Sequence, residues 1–163
     1  MTWVDWAVIA VLGISAMLGL WRGFIREVLA LVGWVVAGVI AVLFAADIAA
    51  AMPADFTTPL VRHLLAAALI FVLVLVVAAL AASLLSKLVR AIGLGPLDRT
   101  LGGLFGFVRG GVIVLIAVLL AGMTPLPRDP AWQGAQLKGP LETAAIMARA
   151  YLPEEIAARI RYR

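Results

Sequence analysis

Four long apolar runs divide the chain, each bounded by short clusters of charge, glycine or proline. Trp3 to Leu20 holds eighteen residues with Asp5 as its one charge, Val28 to Ala46 nineteen with none, and Leu64 to Leu85 twenty-two dominated by Leu, Val and Ala. Leu101 to Gly122 is the fourth run, interrupted by Arg109. About eighteen to twenty apolar residues suffice for a helix to cross the hydrocarbon core of a bilayer. Within that core the backbone is satisfied only in helices or closed barrels. The pattern predicts an all-α, polytopic membrane protein with four transmembrane helices at about 3–20, 28–46, 64–85 and 101–122. Residues 1–122 make up the transmembrane domain in this reading, and 123–163 a short amphipathic helical tail containing proline.

The breaks between runs have their own chemistry. Arg22 to Glu27 reads as a short polar hinge. Asp47 to His63 carries Pro53, Asp55, Thr57, Thr58 and Pro59, and Lys87 to Arg99 carries Gly93, Gly95 and Pro96. Such mixtures stop helices and favour water. A cleaved leader would begin with positive charge and end in small residues. The first run instead begins Thr2-Trp3-Val4-Asp5-Trp6 and ends Leu20-Trp21-Arg22, so it is expected to stay as the first helix, with Trp3, Trp6 and Trp21 at the interfaces. In the tail, Pro125, Pro127 and Pro130 forbid continuation of the fourth helix. Leu141 to Tyr151 then places Leu141, Ala144, Ala145, Ala148 and Leu152 on one face, suited to a membrane surface or a neighbouring subunit. Pro153-Glu154-Glu155 resembles a further helix start, before Arg159, Arg161 and Arg163.

Composition agrees with the pattern. Of 163 residues, 65% are hydrophobic and 13% charged, against about half and a quarter in soluble domains. The net charge of +4 is scattered over segment ends and tail, which fits lipid contact and gives no reason to expect nucleic acid. With no cysteine in the chain, disulfides, Cys-containing metal sites and a thiol nucleophile are excluded. Arg22, Arg26, Lys87, Arg90 and Arg99 flank the first and third connections, against Arg62, Arg128 and Lys138 on the other side. The excess of positive charge predicts that 21–27 and 87–99 are cytoplasmic and both termini are not.

Two kinds of residue are candidates for function. Gly102, Gly106 and Gly110, with Gly103 beside them, form a small-residue stripe on the fourth helix, and Ser15, Gly19 and Gly23 form a similar one near the first. Such stripes let helix backbones approach closely, within one chain or between copies. The second kind is a charge network. Arg109 lies about 12 Å along a helix that starts at Leu101, and an intramembrane arginine is either functional or snorkels to the headgroups. Glu27 and Asp98 are its candidate acidic partners, with Arg26 and Arg99 alongside. Gly23-Phe24-Ile25-Arg26 and Gly106-Phe107-Val108-Arg109 form a weak internal repeat, from a duplicated helix pair or from two similar membrane-entry sequences. His63 stands alone at a loop end and reads as interfacial, while Ser83 and Ser86 are expected to bond back to their own helix carbonyls. No nucleophile with its base can be assembled, so no catalytic residue, metal or cofactor is expected.

Several stretches together resemble one family. Trp3-Val4-Asp5-Trp6, Arg22-Gly23-Phe24-Ile25-Arg26-Glu27, Gly93-Leu94-Gly95-Pro96-Leu97-Asp98-Arg99 with the following Phe107-Val108-Arg109-Gly110, and Thr124-Pro125-Leu126-Pro127 before Trp132 are similar to the colicin V production protein family. The resemblance implies a bacterial inner-membrane protein needed for production or export of that peptide toxin, with a housekeeping role in envelope homeostasis and tolerance of bile-type detergents. It implies no catalytic or binding residue. The leading expectation is a noncatalytic accessory protein acting through helix-mediated assembly. The alternative is a small oligomeric channel or transporter lined by Arg109 and the Arg22–Glu27 hinge. Candidate partners are the bilayer, further copies of the chain, and export or envelope proteins.

Overall fold

A computed structural model of the chain describes residues 1–53 and 58–157. Asp55 and Thr57 of the second loop, and the tail arginines Arg159, Arg161 and Arg163, lie outside the described residues. The described residues form helices without strands: α1 (Trp3–Arg22), α2 (Phe24–Ala51), α3 (Pro59–Ala91), α4 (Gly95–Ala121), a 3₁₀ turn (Leu126–Arg128), α5 (Pro130–Gln133), α6 (Lys138–Arg149) and α7 (Glu154–Ala157). Helices α1 to α4 are each long and apolar enough to cross a membrane.

These helices outrun the apolar runs that predict them. Hydrophobicity marks the part that meets lipid, whereas a helix continues until a residue stops it. The polar hinge at Arg22–Glu27 contracts to Gly23 alone, since Arg22 still belongs to α1 and Phe24 opens α2. Helix α3 begins where extended Thr58 precedes Pro59 in the first turn. It ends at Gly93, whose φ of +84° is left-handed, with the Leu94 N–H donating to the Val89 carbonyl. Glycine at that position is the usual helix stop.

The contacts divide the chain into two compact units, Met1–Trp21 with Gly103–Arg163, and Arg22–Gly102. In the first unit α1 and α4 run antiparallel. Going up α4, Gly103 meets Leu20, Gly106 meets Ser15 and Ala16, and Gly110 meets Leu12. Beyond the glycines the pair packs larger residues, with Val4, Val114 and Val118 in one buried core. Trp132 of α5 and Ala145 of α6 join the same core, with Leu141 beside them. The apolar face of α6 therefore folds back onto its own chain, a third outcome beside the two expected from sequence. Ala144, assigned to that face, is exposed, while Ala145 is fully covered.

In the second unit α2 and α3 form an antiparallel hairpin joined along small residues. Gly33, Ala37, Ala41 and Ala45 are buried at every fourth position of α2, facing α3, which buries Ala66, Ile70 and Ala82. A β-carbon at Gly33 would stand 2.9 Å from that of Ala78. Trp34 of α2 meets Phe71 of α3 edge-on at 5.2 Å between ring centres. The outer faces stay apolar, with Val42 79% and Leu73 63% exposed. In a membrane, lipid chains rather than water cover such faces.

Candidate functional site

In the second unit, the site centres on the start of α2. Gly23 has φ +88° and ψ 156°, a conformation essentially restricted to glycine. A β-carbon there would also overlap the Asp98 carboxylate. That carboxylate, 6% exposed on α4, accepts the Ile25 N–H at 2.9 Å. Asp98 thus supplies from another helix the N-terminal cap that Gly23 has no side chain to provide. Two residues on, Glu27 is buried and lies 3.7 Å from the half-exposed Arg22 guanidinium. Arg26 reaches across to α3, its Nη2 donating to Ser83 Oγ at a long 3.5 Å. Arg99 is exposed.

The expected back-bond of Ser86 is corrected by these contacts. Ser83 receives Arg26, and Ser86 Oγ is buried without a hydrogen-bond partner. Its backbone carbonyl is used instead by Arg90 Nε at 3.2 Å. Packing against α2 covers the Ser86 hydroxyl, whereas the expectation rested on local helix geometry alone.

In the first unit, the glycine seam carries a polar centre at the level of Arg109. Ser15 Oγ donates to the Gly106 carbonyl at 2.6 Å and accepts from Arg109 Nε at 3.3 Å. Gly106 allows this because its bare α-carbon lies against the α1 backbone, with a β-carbon there overlapping the Ser15 carbonyl oxygen and standing 3.1 Å from its carbon. A β-carbon at Gly110 would stand 3.3 Å from the Leu12 α-carbon, and one at Gly103 would stand 2.6 Å from the Leu20 side chain. Gly102 and Gly19 are also buried. Arg109 is part-buried, anchored to α1 through its Nε.

Asp5 is the residue that sequence reasoning passed over. It is fully buried at the start of α1 and accepts three backbone N–H groups: Thr2 at 2.8 Å, Leu137 at 2.9 Å and Gln136 at 3.2 Å. Both carboxylate oxygens are engaged, and they hold the residues leading into α6. A carboxylate inside an apolar run between Trp3 and Trp6 was a visible signal, but Gln136 and Leu137 lie more than 130 residues away. Trp132 Nε1 donates to Glu142 Oε1 at 2.9 Å, closing the same tail segment. His63 is exposed, and among the described residues no group of three His, Cys, Asp or Glu is placed to hold a metal ion.

The repeated Gly-Phe-x-Arg residues do different work. Gly23 stops one helix and starts the next, whereas Gly106 lies inside α4 against Ser15.

Apolar helices joined along glycine and alanine seams, with arginines at their ends and one within, define a small multi-pass membrane protein. The family model for colicin V production protein matches residues 4–146, and the chain belongs to the colicin V production protein family. It is 36% identical over 139 residues to the colicin V production protein of Escherichia coli strain K12, covering 84% of this chain and 85% of that one. It is 38% identical over 137 residues to the colicin V production protein homolog of Haemophilus influenzae, covering 82% of each. The family expected from the sequence motifs is thereby shown. No solved structure matches the chain.

Proposed function

We propose that this chain is a noncatalytic accessory protein of the bacterial inner membrane that supports colicin V production or export, and with it envelope homeostasis, through a defined assembly of its helices. The family match over residues 4–146 carries the reading, because it runs through all four long helices and into α6. The glycine seam supports the assembly part. Gly106 and Gly110 join α1 to α4 inside one chain, which leaves other helix faces for further copies or for export and envelope proteins. Connections 21–27 and 87–99 face the cytoplasm in this reading, since they hold Arg22, Arg26, Lys87, Arg90 and Arg99.

The test uses a bacterial strain that carries a colicin V determinant and lacks its own family member. The unmodified chain is expected to restore secreted toxin, measured as killing of a sensitive strain, and Gly106→Leu is expected not to. Failure of the unmodified chain, shown to be inserted in the inner membrane, would refute the role. Full restoration by Gly106→Leu would refute the assembly mechanism.

A further inference from the structure

Beside the small-residue seam between α2 and α3, the hairpin has an opening at the end formed by the start of α2 and residues 75–83 of α3. There a groove of about 490 Å³ lies between the helices, within the size range of small-molecule sites. Its lower wall is Trp34, with Ala78 and Ala79 opposite, and its mouth is Arg22, Arg26 and Ser83. The groove is therefore amphipathic along its length, cationic at the end of the spans and apolar towards their middle.

At the mouth Arg22 lies 3.7 Å from Glu27, whereas Arg26 is only partly satisfied. Arg26 Nε is buried and has no hydrogen-bond partner, and its Nη2 has only the long contact to Ser83. A buried donor is normally met by an acceptor. Lys87 and Arg90 on α3 add positive charge at the same end. Of the acids nearby, Glu27 sits beside Arg22 and Asp98 is engaged by the Ile25 N–H. Guanidinium groups pair well with phosphate oxygens, often with two parallel hydrogen bonds. Basic pockets between spanning helices suit anionic headgroups.

We propose that this groove binds one anionic phospholipid, its phosphate at Arg26 and Arg22 and an acyl chain along Trp34, Ala78 and Ala79. A soluble anion would use the mouth and leave the apolar wall unexplained. A zwitterionic lipid would use the wall and gain little from the surplus of cations. The site stands independently of the role in toxin production.

Delipidated full-length chain in detergent, titrated with phosphatidylglycerol, phosphatidylcholine or glycerol phosphate and read by native mass spectrometry, tests the assignment. Phosphatidylglycerol is expected to bind at least tenfold more tightly than phosphatidylcholine. Arg26→Gln should remove most of that preference, and Ala79→Trp, which fills the apolar wall without touching the arginines, should weaken phosphatidylglycerol binding about tenfold. Equal binding of the two lipids would overturn the proposal, as would competition by glycerol phosphate at concentrations equal to the lipid. Should Arg26→Gln lose its helical circular dichroism, Ala79→Trp decides alone, and unchanged affinity in it would sink the site.

Discussion

Replacing Gly106 by alanine adds one carbon where α4 touches the backbone of α1. That carbon would overlap the Ser15 carbonyl oxygen and stand 3.1 Å from the Ser15 carbonyl carbon and 3.2 Å from the Ala16 α-carbon. Backbone cannot rotate away as a side chain can, so the helices must separate, and the 2.6 Å bond from Ser15 Oγ to the Gly106 carbonyl is stretched with them. Overpacking of this kind costs about 1–3 kcal/mol, and a lost hydrogen bond about 0.5–1.5 kcal/mol. The sum is roughly 2–4 kcal/mol of destabilisation. Gly111, five residues beyond Gly106 towards the α4 C-terminus, is the internal control, because a β-carbon there meets nothing within 4 Å. Alanine at Gly111 should be neutral or stabilising by up to about 1 kcal/mol, the ordinary helix preference for alanine over glycine. Unfolding of the purified chain in mixed micelles by titration with sodium dodecyl sulfate, followed by circular dichroism, measures both. Equal stability of Gly106→Ala and Gly111→Ala would refute the argument that this seam depends on the missing side chain.

Other consequences follow from the same contacts. Gly23→Ala should destabilise by about 1–3 kcal/mol in the same titration, since its backbone conformation is nearly exclusive to glycine. Asp98→Ala removes the acceptor for the Ile25 N–H and should cost about 1 kcal/mol. Hydrogen exchange should then accelerate at Ile25 more than in the middle of α2. Asp5→Asn should release the tail almost as fully as Asp5→Ala, because both carboxylate oxygens accept N–H groups and the amide nitrogen would confront one of those donors. Limited proteolysis between α4 and α6 reads this, and protection in Asp5→Asn equal to the unmodified chain would contradict it. Ser15→Ala should lose about 1 kcal/mol and leave Arg109 Nε without its α1 acceptor.

Much of the architecture was legible in the chain because the membrane reduces the problem to length and hydrophobicity. The four apolar runs each become a helix, Pro59 opens α3, and Gly93 and the prolines after Gly122 mark helix ends for local steric reasons visible in sequence. The stripe at Gly102, Gly106 and Gly110, with Gly103 beside it, was legible for the same reason, since period and side-chain size are one-dimensional properties. The alanine seam of α2, Ala37, Ala41 and Ala45, was as regular but hidden in an alanine-rich composition that contains many such spacings by accident. Asp5 was visible as an anomaly, yet nothing near it names Gln136 and Leu137 as its donors.

The sequence alone therefore determined the class, the number of spans among the described residues and the family, because apolar length, helix-stopping residues and motif identity need no knowledge of what lies across space. Tertiary structure decided the partners: Ser15 for Arg109, Asp98 for the α2 N-terminus, Asp5 for the tail, and the α1–α4 core for Leu141 and Ala145 of α6. The physical reason is that a hydrogen bond or a close backbone approach depends on which two faces the fold brings together. Hydrophobicity inside a membrane says that a helix forms without saying which of its faces another helix will cover.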